Sequence, residues 1–440
     1  MKKVIIIGGG PAGITAAKIL LSSSDYSVSI FERDKRIGFM NELFPQWLRK
    51  RVEDASVFST NAEQMQALGA TVYGETEVLE VDHINKTVSA RKATGEQFVE
   101  QYDSLILATG SRPSQFPVSG INLKGIHFVR LYENAKDCVE QFMTHHIKRV
   151  AIIGGNYIGV KLAEACRDIG CEVIVIDPGQ LLASQYGRPF ADRIEAVLRE
   201  RGVEIKTGRL QRFIGNEGRV THVVTSTGTH EVDFVMLNVG FYPVSSLCEH
   251  AARTERAAYR VTYDQLTTLP DVYAVGDCAA GYDPLVGDHI SVFLSSEAVR
   301  SGTIAALHIM GKKIDFNYSQ RARALKVGDL YVAAAGITTS EAKFRQIDIN
   351  FSDISGRQFY PFMNLPDHEV LLRLIYRKNN RQLIGAQMLS KHDITEHIKY
   401  YAFAIQQGMT INELTFCDTF FAPHFNQAYN YHMLCALAAP

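Results

Sequence analysis

An α/β fold is predicted: two Rossmann-like, doubly wound units followed by a C-terminal α+β domain. Three observations predict it. A short apolar strand runs into Gly8-Gly9-Gly10-Pro11-Ala12-Gly13, then a helix, then a second strand ending on an acid. The same strand–turn–helix–strand–acid unit returns about 145 residues later. Past residue ~320 the texture changes to paired strands and a helix without any glycine-rich turn. Short β-branched runs alternating with longer helical stretches are the pattern of doubly wound sheets.

The bulk properties narrow the classes. At 440 residues the chain is too long for one core, and about three domains are expected. With 46% hydrophobic and 21% charged residues it has an ordinary globular composition. The formal net charge is −1 and there is no long basic run, which argues against nucleic acid or an anionic membrane surface as partner. Val4–Ile7 is too short for a signal-peptide core, and no run approaches the ~20 apolar residues needed to span a bilayer. A cytoplasmic location is the expectation. The seven cysteines are scattered, with no C-x-x-C pair, so neither a disulfide framework nor a metal site is expected.

Taken in order, Val4–Ile7 reads as a strand, Ala12–Leu21 as a helix and Ser27–Phe31 as a strand ending at Glu32. Leu105–Ala108 is a strand closed by Thr109-Gly110. The second unit comprises a strand at Arg149–Ile153, a helix at Tyr157–Ile169 and a strand at Glu172–Ile176 ending on Asp177. Val370–Tyr376 and Leu383–Leu389 read as paired strands around Lys378-Asn379-Asn380, and Asp393–Gln407 as a helix. The last residues carry an aromatic cluster: Phe416, Phe420, Phe421, Phe425, Tyr429 and Tyr431.

A dinucleotide pyrophosphate needs a tight turn, close backbone approach and a helix N-terminus. Gly8 permits the turn, Gly10 leaves room for phosphate and Gly13 lets helix and strand pack closely, with Pro11 and Ala12 opening the helix. Glu32, 24 residues after Gly8 and followed by Arg33, stands where an acid accepts hydrogen bonds from ribose hydroxyls.

Thr109-Gly110 closes one strand, and Val272-Tyr273-Ala274-Val275-Gly276-Asp277 is another strand followed by Gly and Asp. With these segments the chain resembles the two-dinucleotide flavoprotein reductases of the glutathione reductase superfamily. The resemblance implies FAD at the first site, with Asp277 on its ribityl chain.

The second turn is Gly154-Gly155-Asn156-Tyr157-Ile158-Gly159. Its fingerprint positions are Gly154, Asn156 and Gly159, so the middle glycine is missing, and a side chain there is expected to crowd a pyrophosphate. Asp177, 23 residues after Gly154, favours the free 2′-hydroxyl of NADH over the 2′-phosphate of NADPH. Tyr157 matches a lid over the nicotinamide side of the flavin in relatives.

The segments Leu383 to Lys391, Ala404-Ile405-Gln406, Met409-Thr410-Ile411 and Phe420 to Phe425 resemble the dimerisation domain of the NADH oxidase, NADH peroxidase and coenzyme A disulfide reductase family. Val239-Gly240-Phe241-Tyr242-Pro243 and Ala298-Val299-Arg300-Ser301-Gly302 are similar to that family too. The resemblance covers essentially the whole chain. It implies a homodimer, with an FAD domain at residues 1–112 and 241–320, an NAD domain at 113–240 and a dimerisation domain at 321–440.

Three residues depart from the family. Glu42, in Gly38-Phe39-Met40-Asn41-Glu42-Leu43, stands where the family has its single redox cysteine. Pro11 matches the peroxidase histidine, and Lys161 stands where a Glu usually follows Tyr-Ile-Gly. A carboxylate forms no sulfenic acid and exchanges with no disulfide, because both need a thiolate. Cysteine-based peroxide or coenzyme A disulfide reduction is therefore expected to be absent, and hydrogen peroxide is the expected oxygen product. Glu42 reads either as a proton donor or acceptor with a burial-raised pKa or as the ion-pair partner of Lys161. Cys278 reads as packing. Cys417 is a candidate redox thiol and His424 a candidate for reaching the partner subunit's site.

The leading expectation is an FAD-dependent NADH oxidoreductase passing electrons to oxygen or a small acceptor without a cysteine relay. The alternatives are an FAD-binding, weakly catalytic regulatory module and a coenzyme A disulfide reductase-like enzyme with a displaced thiol.

Overall fold

The computed structural model describes residues 1–114, 117–312 and 318–440. The chain forms two compact units. The first comprises Met1–Gln115, Phe128–His145 and Val239–Ser319; the second comprises Phe116–His127, His146–Asn238 and Gln320–Pro440.

The first unit is built on a five-stranded parallel sheet. Its centre is β1 (Lys2–Ile7), flanked by Ser104–Leu107 and by β2 (Tyr26–Phe31), with Val272–Ala274 and Thr71–Tyr73 at the edges. Parallel strands are covered on both faces, which is why Val4 to Ile7 are all buried. The alternation of side chains then sorts them. Val4 and Ile6 enter the core under α1 (Pro11–Leu20), while Ile5 and Ile7 enter the opposite core with Val88, Ala90 and Tyr259. That second face carries an antiparallel sheet of Thr76–Asp82, Thr87–Lys92 and Gln97–Gln101. Proline at the first helical position suits α1, since its missing N–H would have no intrahelical partner there.

The second unit repeats the plan. A central β3 (Arg149–Ile153) pairs in parallel with Phe234–Leu237 and, across the helix α2 (Tyr157–Asp168), with β4 (Glu172–Asp177), which pairs with Val203–Thr207. The same unit holds a five-stranded antiparallel sheet in the order Arg323–Val327, Leu330–Gly336, Leu383–Ser390, Glu369–Arg377, Ile349–Arg357. The predicted hairpin is its 369–390 pair. The helix expected over Asp393–Gln407 starts later, at Ile398, after a 3-10 turn at Thr395–His397. The Asp393 carboxylate accepts hydrogen bonds from the N–H and hydroxyl of Thr395, and this local turn competes with helix.

Among the described residues no helix is long and apolar enough to cross a membrane.

Candidate functional site

Both glycine-rich turns lie at the carboxyl ends of parallel strands, where open α/β sheets bind ligands. In the first, Gly8 has φ +114°, and a Cβ there would lie 2.1 Å from the Ala108 carbonyl oxygen. Its N–H reaches the Phe31 carbonyl at 2.8 Å, tying the turn to β2. A Cβ on Gly13 would lie 2.1 Å from the Gly8 oxygen, so only glycine lets α1 pack this closely. Gly10 differs: a Cβ there would meet nothing within 4 Å. The space is open, and the helix N-terminus behind it has no side-chain cap. Open space in front of uncapped N–H groups is what a pyrophosphate requires.

Glu32 closes the turn. Its carboxylate accepts from the Gly9 N–H at 2.8 Å and from the Asp34 N–H at 3.0 Å. Burial raises the Glu32 carboxyl above the usual range, opposed by these two bonds. Arg33 is exposed and leans toward Asp34.

Asp277 lies in a 3-10 turn at Gly276–Cys278, with Gly276 at φ +68°. Its carboxylate is buried and accepts from the Ser111 hydroxyl at 2.7 Å and from the Arg130 guanidinium, which also stacks over Phe241. Sequence reading missed Arg130 and Ser111. Thr109 donates to the Val244 carbonyl, fixing the Thr109-Gly110 exit. The helix Ser295–Ile309 comes against α1 so closely that a Cβ on Gly302 would lie 2.3 Å from the Ala12 oxygen. The residues present therefore fit an FAD: an open phosphate cradle, a clamped acid at the second strand and a buried acid at the end of the Val272–Ala274 strand.

The second turn repeats these bonds. The Gly154 N–H reaches the Ile176 carbonyl at 2.8 Å, and Asp177 accepts from Gly155 at 2.7 Å and Gly179 at 2.8 Å. A Cβ on Gly159 would lie 2.0 Å from the Gly154 oxygen. Asn156 does not project forward as expected. It takes φ −79°, ψ −177°, against −79° and −176° at Gly10, so the asparagine causes no backbone strain. Its side chain turns back: Oδ1 accepts from the N–H groups of Ile158 and Gly159, and Nδ2 donates to the Asn238 carbonyl at 2.7 Å. The physical reason is that asparagine is a strong N-cap. The site fits a dinucleotide in every feature except this cap. Lys161 places its ammonium 4.1 Å from the centre of the Tyr157 ring.

Glu42 lies on a one-turn 3-10 helix, Asn41–Leu43, and accepts from the Ser295 hydroxyl at 2.9 Å. It is exposed, which corrects the expectation of a buried carboxylate; Phe44, Pro45, Trp47 and Leu48 take the buried positions instead. Glu42 and Lys161 belong to different units.

Six of the seven cysteines are buried; Cys417 is partly exposed. Burial pushes the thiols of Cys171 and Cys248 up to about 11 and that of Cys435 to about 12, and it also raises Cys278, whose thiol meets the Leu107 and Val275 carbonyls. None of these is set up as a thiolate. Cys417 is hydrogen bonded to Tyr400, whose hydroxyl is raised mainly by burial. In the aromatic cluster Phe416, Phe420, Phe421, Phe425 and Tyr429 are exposed by 52–82%, but Tyr431 is buried and belongs to the interior. His424 is exposed within this segment.

The fold and the duplicated turns define a two-dinucleotide oxidoreductase. Residues 2–302 match the pyridine nucleotide-disulphide oxidoreductase family and residues 322–432 match its dimerisation domain; the chain belongs to this family. It is 35% identical to an NADH oxidase of Lactococcus lactis subsp. cremoris, over 99% of this chain and 100% of that one. It is 33% identical to an NADH oxidase of Streptococcus pyogenes over the whole of both. Among solved structures, a water-forming NADH oxidase from Lactobacillus brevis bound to NADH matches with a TM-score of 0.95 at 26% identity, covering 100% of this chain and 98% of that one.

Proposed function

We propose that this chain is an FAD-dependent NADH oxidoreductase whose acceptor is oxygen or another small molecule and whose chemistry involves no cysteine relay. The observation that carries the reading is the duplicated strand–turn–helix–strand–acid cradle, open at Gly10 and closed by Glu32 and Asp177. Gly8, Gly10, Pro11, Ala12, Gly13, Glu32, Arg33, Thr109, Gly110, Gly276 and Asp277 are the FAD set. Gly154, Tyr157, Ile158, Gly159 and Asp177 are the NADH set, and an acid at Asp177 favours NADH over NADPH. The corresponding domains are 1–112 with 241–320 for FAD, 113–240 for NADH and 321–440 for dimerisation.

When bound, FAD supplies the hydride acceptor and the route of electrons to oxygen. The chain's own residues bind, orient and hold protons. The N-terminus of α1 meets the FAD phosphates, Glu32 fixes the turn and the ribose, and the Arg130–Asp277–Ser111 group fixes the ribityl side. Tyr157 and Lys161 form the head of the nicotinamide-binding helix. Glu42 occupies the place of the family's cysteine as a proton-exchanging carboxylate with Ser295 as its neighbour. The exposed Phe416–Tyr429 surface supports a homodimer, since an apolar patch of this kind marks an interface. His424 belongs to that surface. A cytoplasmic location is part of the same reading.

The full-length NADH oxidase relatives favour an enzyme over a regulatory module. Burial of six thiols leaves the partly exposed Cys417 as the candidate for a displaced-thiol coenzyme A disulfide reductase, a reading that the NADH oxidase relatives do not favour. Oxygen consumption with and without catalase tests the product. If the product is hydrogen peroxide, catalase halves net oxygen uptake; an unchanged uptake contradicts the cysteine-free reading.

A further inference from the structure

The two repeats differ at a pair of touching positions. In the first, the helix is headed by Gly10, and Ala108 donates its N–H to the β1 residue Ile7. In the second, the equivalent places hold Asn156 and Asn238, the latter donating to the β3 residue Ile153. The backbone at the two helix heads is the same within a degree, so the change lies in the side chains alone. Gly10 offers no side-chain cap to the N–H groups at the head of α1, whereas Asn156 occupies those of Ile158 and Gly159 with its own oxygen. A second, independent observation lies beside it. Asn238 is 3% exposed, and neither its Oδ1 nor its Nδ2 has a hydrogen-bond partner among the described residues. A buried amide without protein partners is costly, and a polar ligand group or a neighbouring side chain would relieve it.

We propose that Asn156 is a displaceable cap that competes with the pyrophosphate of a nicotinamide dinucleotide for the head of α2, and that the idle Asn238 amide receives it on displacement. The Asn156 Nδ2 already contacts the Asn238 carbonyl, which sets the two residues side by side. The cap sets the affinity of the site: dinucleotide binds only by giving up two side-chain hydrogen bonds that the first repeat never forms. The inference rests on the nicotinamide-binding reading of this unit.

The test is isothermal titration of the flavin-loaded protein with ADP-ribose, which carries the pyrophosphate, and with adenosine, which does not. From the strength of an asparagine N-cap relative to alanine, Asn156→Ala should bind ADP-ribose roughly two- to thirty-fold more tightly, with adenosine binding unchanged. Asn156→Gly, which also removes the cap, should shift in the same direction by a smaller factor, and thermal melts report that both are folded. Asn238→Ala should weaken ADP-ribose binding in the native background and have no effect in Asn156→Gly. Equal or weaker ADP-ribose binding by both Asn156 variants overturns the proposal, and so does an Asn238→Ala effect that is the same in both backgrounds. ADP-ribose binding by none of the proteins overturns the nicotinamide-binding reading along with it.

Discussion

The Glu32 carboxylate holds the Gly9 N–H at 2.8 Å, so the acid that ends β2 also fixes the turn that follows β1. Asp177 does the same for Gly155 at 2.7 Å. In each repeat one carboxylate serves the protein's own turn, beside the ribose contact proposed for it.

Glu32→Gln should therefore cost more than a ribose contact. The amide nitrogen would face a backbone donor, leaving one of the two N–H groups unsatisfied at ~1–3 kcal/mol. FAD affinity should fall at least ~10-fold, measured by fluorescence of released flavin. Unchanged flavin retention would contradict the clamp.

Arg130→Met should leave Asp277 buried with Ser111 as its remaining side-chain partner among the described residues. Removing one member of a buried pair costs on the order of 3 kcal/mol, read as a lower urea midpoint. Adding Asp277→Asn should recover most of that stability. Additive losses would show that the two groups are not coupled.

At Glu42 the outcome separates two roles. Gln retains an acceptor for Ser295, so Glu42→Gln should leave flavin content intact and stability within ~0.5 kcal/mol. Peroxide yield should stay at one per NADH. Glu42→Cys, which installs a thiol at this position, should lower that yield. A peroxide yield unaltered by the thiol would contradict the place assigned to Glu42.

His432 gives a pH dependence. Burial, with His397 nearby, pushes its imidazole down to about 3, and its Nδ1 lies 2.5 Å from the Tyr401 hydroxyl. In the unfolded chain it protonates near its ordinary value of ~6.5. Between these values the unfolded state binds more protons. Stability is therefore fully present above pH ~6.5 and falls as pH drops toward 3, by at most ~1.4 kcal/mol per pH unit. His432→Gln should show a smaller loss of urea midpoint between pH 7 and pH 5 than the native protein; equal losses would contradict the assignment.

The paired cradles were legible in the sequence because their requirements are local. Glycines at Gly8, Gly13 and Gly159 are demanded by clashes of 2.0–2.1 Å that any Cβ would suffer, and Gly154 by its φ of +101°. Other features were not legible. Arg130 and Ser111 meet Asp277 across 147 and 166 residues, and Asn156 meets Asn238 across 82, with no spacing rule to announce either. Tyr431 belongs to the same aromatic cluster in the sequence, and composition does not say that a helix beginning there turns its ring inward while the others stay exposed. The exposure of Glu42 follows from Phe44 and Trp47 taking the core positions of the same short segment, a packing outcome rather than a pattern.

Anaerobic stopped-flow mixing of the flavin-loaded protein with NADH tests the central claim most directly. The account predicts loss of the yellow flavin absorbance with a rate that saturates in NADH, and a much weaker response to NADPH. Full retention of colour at millimolar NADH would contradict it.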